Sequence, residues 1–185
     1  MSAEAARPLR VYGVVGFKNS GKTTLLERLV GEIVGRGFSV STLKHAHHVF
    51  DVDRPGKDSW RHREAGARQV LVASRKRWAL MHELRDEEEP ELETLLAKLA
   101  PVDLVLIEGY KRGPHPKIEA FRGENDHPVL ALEDPQVRAI ATDAPDDPRL
   151  SAARVPMLDL NDPATVAAFI LADLGLPART GAAEG

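Results

Sequence analysis

The chain has 185 residues, 43% hydrophobic and 29% charged, the balance of one packed domain and not of a disordered or membrane-embedded chain. Lysine and arginine number 25 against 28 aspartate and glutamate, a net charge of −3, so the composition offers no global basic surface to a nucleic-acid polymer and any anion site is local. The absence of cysteine excludes disulfides, thiolate metal ligands and cysteine nucleophiles and fits a cytoplasmic chain, while no run approaches the roughly 18 apolar residues of a membrane span.

In chain order, Met1 to Arg10 reads as a flexible lead-in, and Val11 to Val15 as a short apolar strand ending at Gly16. Leu25, Leu26, Leu29, Val30 and Ile33 then recur at helical spacing until Gly35 and Gly37, and Phe38 to Leu43 alternates as a second strand. His45 to Lys57 has turn chemistry and no periodicity. Asp58 or Ser59 is placed to cap a short helix through Ala67, and Gln69 to Ala73 with Trp78 to Met81 reads as a hairpin about the basic turn Ser74 to Arg77. Leu92, Leu95, Leu96 and Leu99 mark an amphipathic helix ended near Pro101, and Val102 to Ile107 has the continuous apolar character of a buried parallel strand. Further runs cover Lys117 to Phe121, Val129 to Leu132 and Val137 to Ala141; Pro163 to Leu174 is a closing helix behind Asp162, and the tail from Pro177 is expected to fray.

Gly16-Phe17-Lys18-Asn19-Ser20-Gly21-Lys22-Thr23 matches G-x-x-x-x-G-K-[ST] and lies between a predicted strand and a predicted helix, the context that this motif requires. Gly16 and Gly21 let the backbone curl so that consecutive N–H groups converge on phosphate oxygens at the positive end of the helix, where Thr24 also lies. Lys22 is expected to reach the β- and γ-phosphates and Thr23 to give its hydroxyl to Mg²⁺. A second carboxylate is expected at a neighbouring strand end, and Glu108, followed by Gly109, stands there. Asp103 fits a strand-entry role. The elements therefore predict an α/β fold of the P-loop NTPase type over residues 11–176, a mostly parallel central sheet flanked by helices with additional antiparallel strands.

Lys44-His45-Ala46-His47-His48 and the following segment to Ser59 concentrate imidazoles, carboxylates and lysines. Three readings stand side by side. In a switch-like loop, Asp51 or Asp53 assists Mg²⁺ while Lys44 and Lys57 meet phosphate or an anionic ligand; in a transition-metal site, His45, His47 and His48 are the ligands; in a solvated loop, the histidines bond locally. Arg61, Arg63, Arg68, Arg75 and Arg77 form either an anion-receiving surface or a solvated face.

With these residues in hand, the chain resembles the MobB family, GTP-binding adapters of molybdopterin guanine dinucleotide biosynthesis. The resemblance is carried by Gly16 to Leu25, Lys44 to His48, Asp53 to Ser59 and Glu108-Gly109-Tyr110-Lys111, covering about Val11 to Lys117. It implies a homodimer that binds GTP with Mg²⁺, hydrolyses it weakly, and assists a guanylyltransferase and a molybdenum-insertion protein in attaching GMP to molybdopterin. Carried over by residue, Gly16, Lys18, Asn19, Ser20, Gly21, Lys22, Thr23 and Thr24 would hold the nucleotide, Glu108 would be the second carboxylate, and His45, His47, His48, Asp53, Lys57 and Asp58 would belong to the polar loop. There is no Asn-Lys-x-Asp segment for reading guanine. Asp143, after the Val137 to Ala141 run, is a candidate for accepting from guanine N1 and N2, and equally for capping a turn. Two other functions use the same residues: a small-molecule kinase with Asp51 or Asp53 as base and Arg61 and Arg63 in a lid, and a metallochaperone GTPase using the three histidines.

Overall fold

The computed structural model describes residues 9–46 and 50–176. Contacts group the chain into two units, Met1–His45 with Leu99–Gly185, and Ala46–Lys98.

The first unit is built on a six-stranded parallel sheet in the order β2-β5-β1-β6-β7-β8. Its strands are β1 (Val11–Val15), β2 (Val40–Lys44), β5 (Leu104–Glu108), β6 (Lys117–Phe121), β7 (Val137–Thr142) and β8 (Met157–Asp159). β5 lies between β2 and β1, so both its edges are paired, and the full burial of Leu104, Val105, Leu106 and Ile107 shows that both its faces are covered. This is the unbroken apolar pattern that a central parallel strand requires.

Helix α1 (Lys22–Gly35) turns Leu25, Leu29 and Ile33, spaced by four, into the main core. Truncating any of them to alanine is worth about 2–5 kcal/mol of lost burial and cavity. Helix α4 (Pro163–Asp173) opens with Asp162 accepting from Thr165 N at 3.1 Å, the cap expected from the sequence. Asp173 in turn accepts from Tyr12 Oη of β1 at 3.1 Å, and burial first, then the Asp173 charge, pushes that phenol above its ordinary value.

Two features go beyond the sequence reading. The Val129 to Leu132 run, whose element type the sequence left open, contains a 3-10 turn, Leu130–Leu132, whose first amides donate to Glu119 at 2.9 Å. β8 was not anticipated; three residues behind Pro156 carry too little periodicity to read.

The second unit contains α2 (Asp58–Glu64), an antiparallel hairpin of β3 (Gln69–Ala73) and β4 (Trp78–His82), and the short α3 (Leu92–Leu96). The hairpin register pairs Leu71 with Leu80 and Ala73 with Trp78 about the expected turn, where Ser74 N donates to Arg77 O at 2.9 Å. Helix α2 begins one residue earlier than expected: Lys57 is the capping position and Asp58 lies in the first turn, because Ser59 gives its hydroxyl to Asp53. Arg63 holds this unit together, binding Asp51 at 2.8 Å and Glu83 at 2.9 Å with Asp53 at 3.5 Å.

Among the described residues no helix is long and apolar enough to cross a membrane.

Candidate functional site

The parallel register lines up the site. Lys44 of β2 and Val14 of β1 both pair with Glu108 of β5, so the C-terminal ends of three adjacent strands meet where β1 runs into the glycine loop. That edge is where open α/β sheets receive ligands.

The loop from Gly16 to Gly21 alternates unusual backbone angles: φ is 144° at Gly16, 64° at Asn19 and 87° at Gly21. Gly16 has to be glycine for a second reason, since a Cβ there would lie 2.5 Å from Ala120 O. Helix α1 starts directly behind Gly21 with no side-chain cap and no acid in its first turn, which leaves the amides of Lys22, Thr23 and Thr24 to an external acceptor. Ser20 is buried, and its hydroxyl has no hydrogen-bond partner among the described residues. An uncapped helix start and an unsatisfied buried hydroxyl in one curled loop fit a polyanion.

Lys22 Nζ donates to Phe17 O, folding back over its own loop. Burial lowers its pKa, with Lys111 and Lys44 acting in the same direction and Glu108 against them. Thr23 Oγ1 donates to Glu108 Oε1 at 3.0 Å, and Lys44 Nζ lies 3.1 Å from the same oxygen. The threonine and the carboxylate anticipated as metal partners are therefore in direct contact, and both are hard oxygen donors of the kind Mg²⁺ takes. Lys18, Asn19 and Thr24 are exposed along the same rim.

The turn after β5 is strained, with Gly109 at φ 98° and Tyr110 at φ 49°. A Cβ on Gly109 would stand 3.2 Å from His45 Cβ; the glycine lets His45 approach, its ring tilted on Tyr110 with centroids 4.5 Å apart. The same turn carries Lys111 over the Phe17 ring at 3.7 Å, and His127 stacks on Phe17 at 4.7 Å. Burial lowers the Lys111 pKa against the pull of Glu119.

Asn125, Arg122 and Arg149 were not singled out in the sequence. Asn125 Nδ2 donates to Asn19 O at 3.1 Å, and Arg149 holds the Asn125 segment by donating to Gly123 O at 2.8 Å and to Asn125 O. Arg122 comes within 3.2 Å of a Cβ built on Gly21 and lies 3.3 Å from Asp143, whose other oxygen accepts from Gly123 N at 3.2 Å. Nothing in the spacing of isolated surface arginines distinguishes these from solvated ones; only strand ends brought side by side, Phe121 with Thr142 and Thr142 with Asp159, reveal them.

The polar loop divides between the units. Lys44 and His45 belong to the first, while Asp53, Lys57 and Asp58 belong to the second. There Asp53 accepts from Arg54 N and Ser59 Oγ, both at 2.9 Å, and Lys57 and Asp58 open α2. His47 and His48 lie outside the described residues, among which no cluster of three or more His, Asp or Glu side chains is placed to hold a metal.

A family model described as molybdopterin guanine dinucleotide synthesis protein B matches residues 11–143. The chain is 40% identical over 174 residues to the molybdopterin-guanine dinucleotide biosynthesis adapter protein of Escherichia coli K12, spanning 92% of this chain and 95% of that one. It is 42% identical over 160 residues to the protein of the same name from Haemophilus influenzae, spanning 86% of each. Among solved structures it is similar to a MobB homologue from Bacillus stearothermophilus, with TM-score 0.67, 29% identity, and 90% of this chain and 99% of that one covered. It is also similar to Bacillus subtilis MobB, with TM-score 0.70, 27% identity, and 89% and 97% covered. A glycine loop, its helix and the Glu108 strand all fall inside the matched region, and the chain belongs to the MobB family.

Proposed function

We propose that this chain is a GTP-binding adapter that assists the attachment of GMP to molybdopterin, acting on partner enzymes and not as a turnover catalyst. The observation that carries the nucleotide part is the start of α1: a curled glycine loop, uncapped amides and the buried Ser20 hydroxyl, with Lys22 at hand. Gly16, Lys18, Asn19, Ser20, Gly21, Lys22, Thr23 and Thr24 would hold the phosphates, and Thr23 with Glu108 would hold Mg²⁺, which supplies charge neutralisation between phosphate oxygens. The pathway part is supported by the names of the relatives, both called molybdopterin-guanine dinucleotide biosynthesis adapter proteins. The partners in this reading are a guanylyltransferase and a molybdenum-insertion protein.

Guanine is favoured over adenine by Asp143. Its carboxylate is held by Arg122, which itself approaches Gly21, and spends one contact per oxygen on Arg122 and Gly123 N. A carboxylate has about four acceptor sites, so two remain for the N1 and N2 donors of guanine, whereas adenine offers no such pair.

Calorimetric titration of GTP, ATP and molybdopterin against the purified chain tests the reading. GTP is expected to bind more tightly than ATP; Lys22→Ala is expected to weaken GTP by about 10–150-fold, the worth of a charge-assisted hydrogen bond of roughly 1.5–3 kcal/mol. Asp143→Asn is expected to erase the preference for GTP. Unchanged GTP affinity in Lys22→Ala defeats the phosphate assignment, and an unchanged GTP-to-ATP ratio in Asp143→Asn defeats the base assignment.

A further inference from the structure

Glu108 Oε1 receives two groups from two different elements, the Thr23 hydroxyl of α1 at 3.0 Å and the Lys44 ammonium of β2 at 3.1 Å. The register brings the second contact within reach, because Lys44 and Glu108 are direct partners across the parallel strands. In the reading proposed above, on which this inference rests, Thr23 and Glu108 are the two protein oxygens that Mg²⁺ needs. A cation is already bound to one of them.

The two ends of this ion pair differ in freedom. The Glu108 side chain is 12% exposed and fixed at its strand end, whereas the Lys44 side chain is 60% exposed on a four-carbon stem. A half-enclosed carboxylate left bare beside an incoming polyanion repels it, and in a site of lowered dielectric that repulsion acts with little screening. Lys22 feels the Glu108 charge but is folded onto Phe17 O and makes no ion pair with Glu108 among the described residues, where Lys44 does. We propose that Lys44 is a displaceable resident counter-ion of Glu108: it neutralises the carboxylate while no metal is present, so that nucleotide binds without metal, and it competes with Mg²⁺ for the same oxygen. By linkage, one lysine then strengthens metal-free nucleotide binding and weakens metal binding.

The experiment uses the full chain with Lys44→Met, Lys44→Arg, Glu108→Gln and the Lys44→Met/Glu108→Gln double variant. GTP is titrated by calorimetry in Mg²⁺ and in EDTA, and Mn²⁺ binding to the GTP complex is followed by its paramagnetic resonance signal. For Lys44→Met, the ratio of Kd in EDTA to Kd in Mg²⁺ is expected to rise by about tenfold, inside the usual coupling range. Mn²⁺ should bind more tightly, Lys44→Arg should keep the ratio of the parent chain, and the double variant should have the ratio of Glu108→Gln alone. An equal loss of affinity in both buffers makes Lys44 an ordinary phosphate contact and overturns the proposal. So does an unchanged ratio, which leaves only a structural ion pair, or an effect of Lys44→Met that survives in the Glu108→Gln background. Failure of the parent chain to bind GTP in either buffer overturns the phosphate-loop reading itself and this inference with it.

Discussion

The same substitution is expected to have opposite effects at two glycines that stand fifteen residues apart, Gly16 in the loop before α1 and Gly31 within it. At Gly16 the backbone sits at φ 144°, and an added Cβ would meet Ala120 O and Ser20 Oγ, each at 2.5 Å. Ala120 O cannot retreat, because β6 is held between β1 and β7, with Val15 paired to Glu119 and Ala120 to Ala141. Backbone strain of about 1–3 kcal/mol and overpacking of about 1–3 kcal/mol make Gly16→Ala destabilising by about 2–6 kcal/mol. Gly31 lies exposed within α1 with nothing inside 4 Å of an added Cβ, so Gly31→Ala is expected to stabilise by about 1 kcal/mol. Urea unfolding followed by far-ultraviolet circular dichroism is the assay of choice. Intrinsic fluorescence would report on the wrong part of the chain, since both tryptophans, Trp60 and Trp78, belong to the Ala46–Lys98 unit. A Gly16→Ala chain within about 1 kcal/mol of the parent would refute the packing argument, because that is the range of an ordinary surface change.

Two other outcomes follow from the structure. The hairpin carries Leu71, Trp78 and Leu80 at 61%, 68% and 47% exposure, an apolar surface on a sheet that has two strands among the described residues, and we propose that the homodimer implied by the resemblance is joined there. Sedimentation of Trp78→Ser/Leu80→Ser is expected to give a monomer where the parent gives a dimer; a monomeric parent at micromolar concentration would sink the idea. At Asp147, hydrogen bonds from the Arg149 side chain and backbone depress the carboxyl pKa from 3.8 to about 2. A depressed folded-state pKa contributes stability above 3.8 that is lost as pH falls towards 2, so Asp147→Asn should flatten the acid-unfolding profile in that window. An unaltered profile would show that the Arg149 clamp on Gly123 and Asn125 does not depend on this charge.

The first half of the fold is legible because each element states itself twice, once in its own pattern and once in its borders. Val11–Val15 is apolar and ends at Gly16, and Leu25, Leu29 and Ile33 repeat by four before Gly35. The later strands are harder for a physical reason. Lys117-Ile118-Glu119-Ala120-Phe121 alternates as a strand with one wet face would, yet β6 is paired along both edges and all five of its residues are buried. Its charges are satisfied inside the fold: Lys117 Nζ reaches Gly113 O at 2.6 Å and Asp134 at 2.7 Å, and Glu119 accepts the amides of Leu130 and Ala131. No periodicity can announce a buried charge whose partner lies ten or more residues away in a loop.

The site divides along the same line. The phosphate loop is written in consecutive residues, since a curl of main-chain amides needs glycines at fixed offsets, and a local motif can be read locally. Glu108 needed one further inference, that a sheet strand must end beside the loop. Lys44 on Glu108 needed two, the strand order and the register, because β2 and β5 are separated by some sixty residues and become neighbours only through a parallel crossover. A lysine at the end of a strand is ordinary; a lysine on the carboxylate that also accepts from Thr23 is, in the reading proposed above, a charge that an entering metal would displace. The groups that tune a site, unlike those that define it, are assembled by topology, and it is at such cross-strand partners of a motif residue that substitutions should alter metal dependence without abolishing binding.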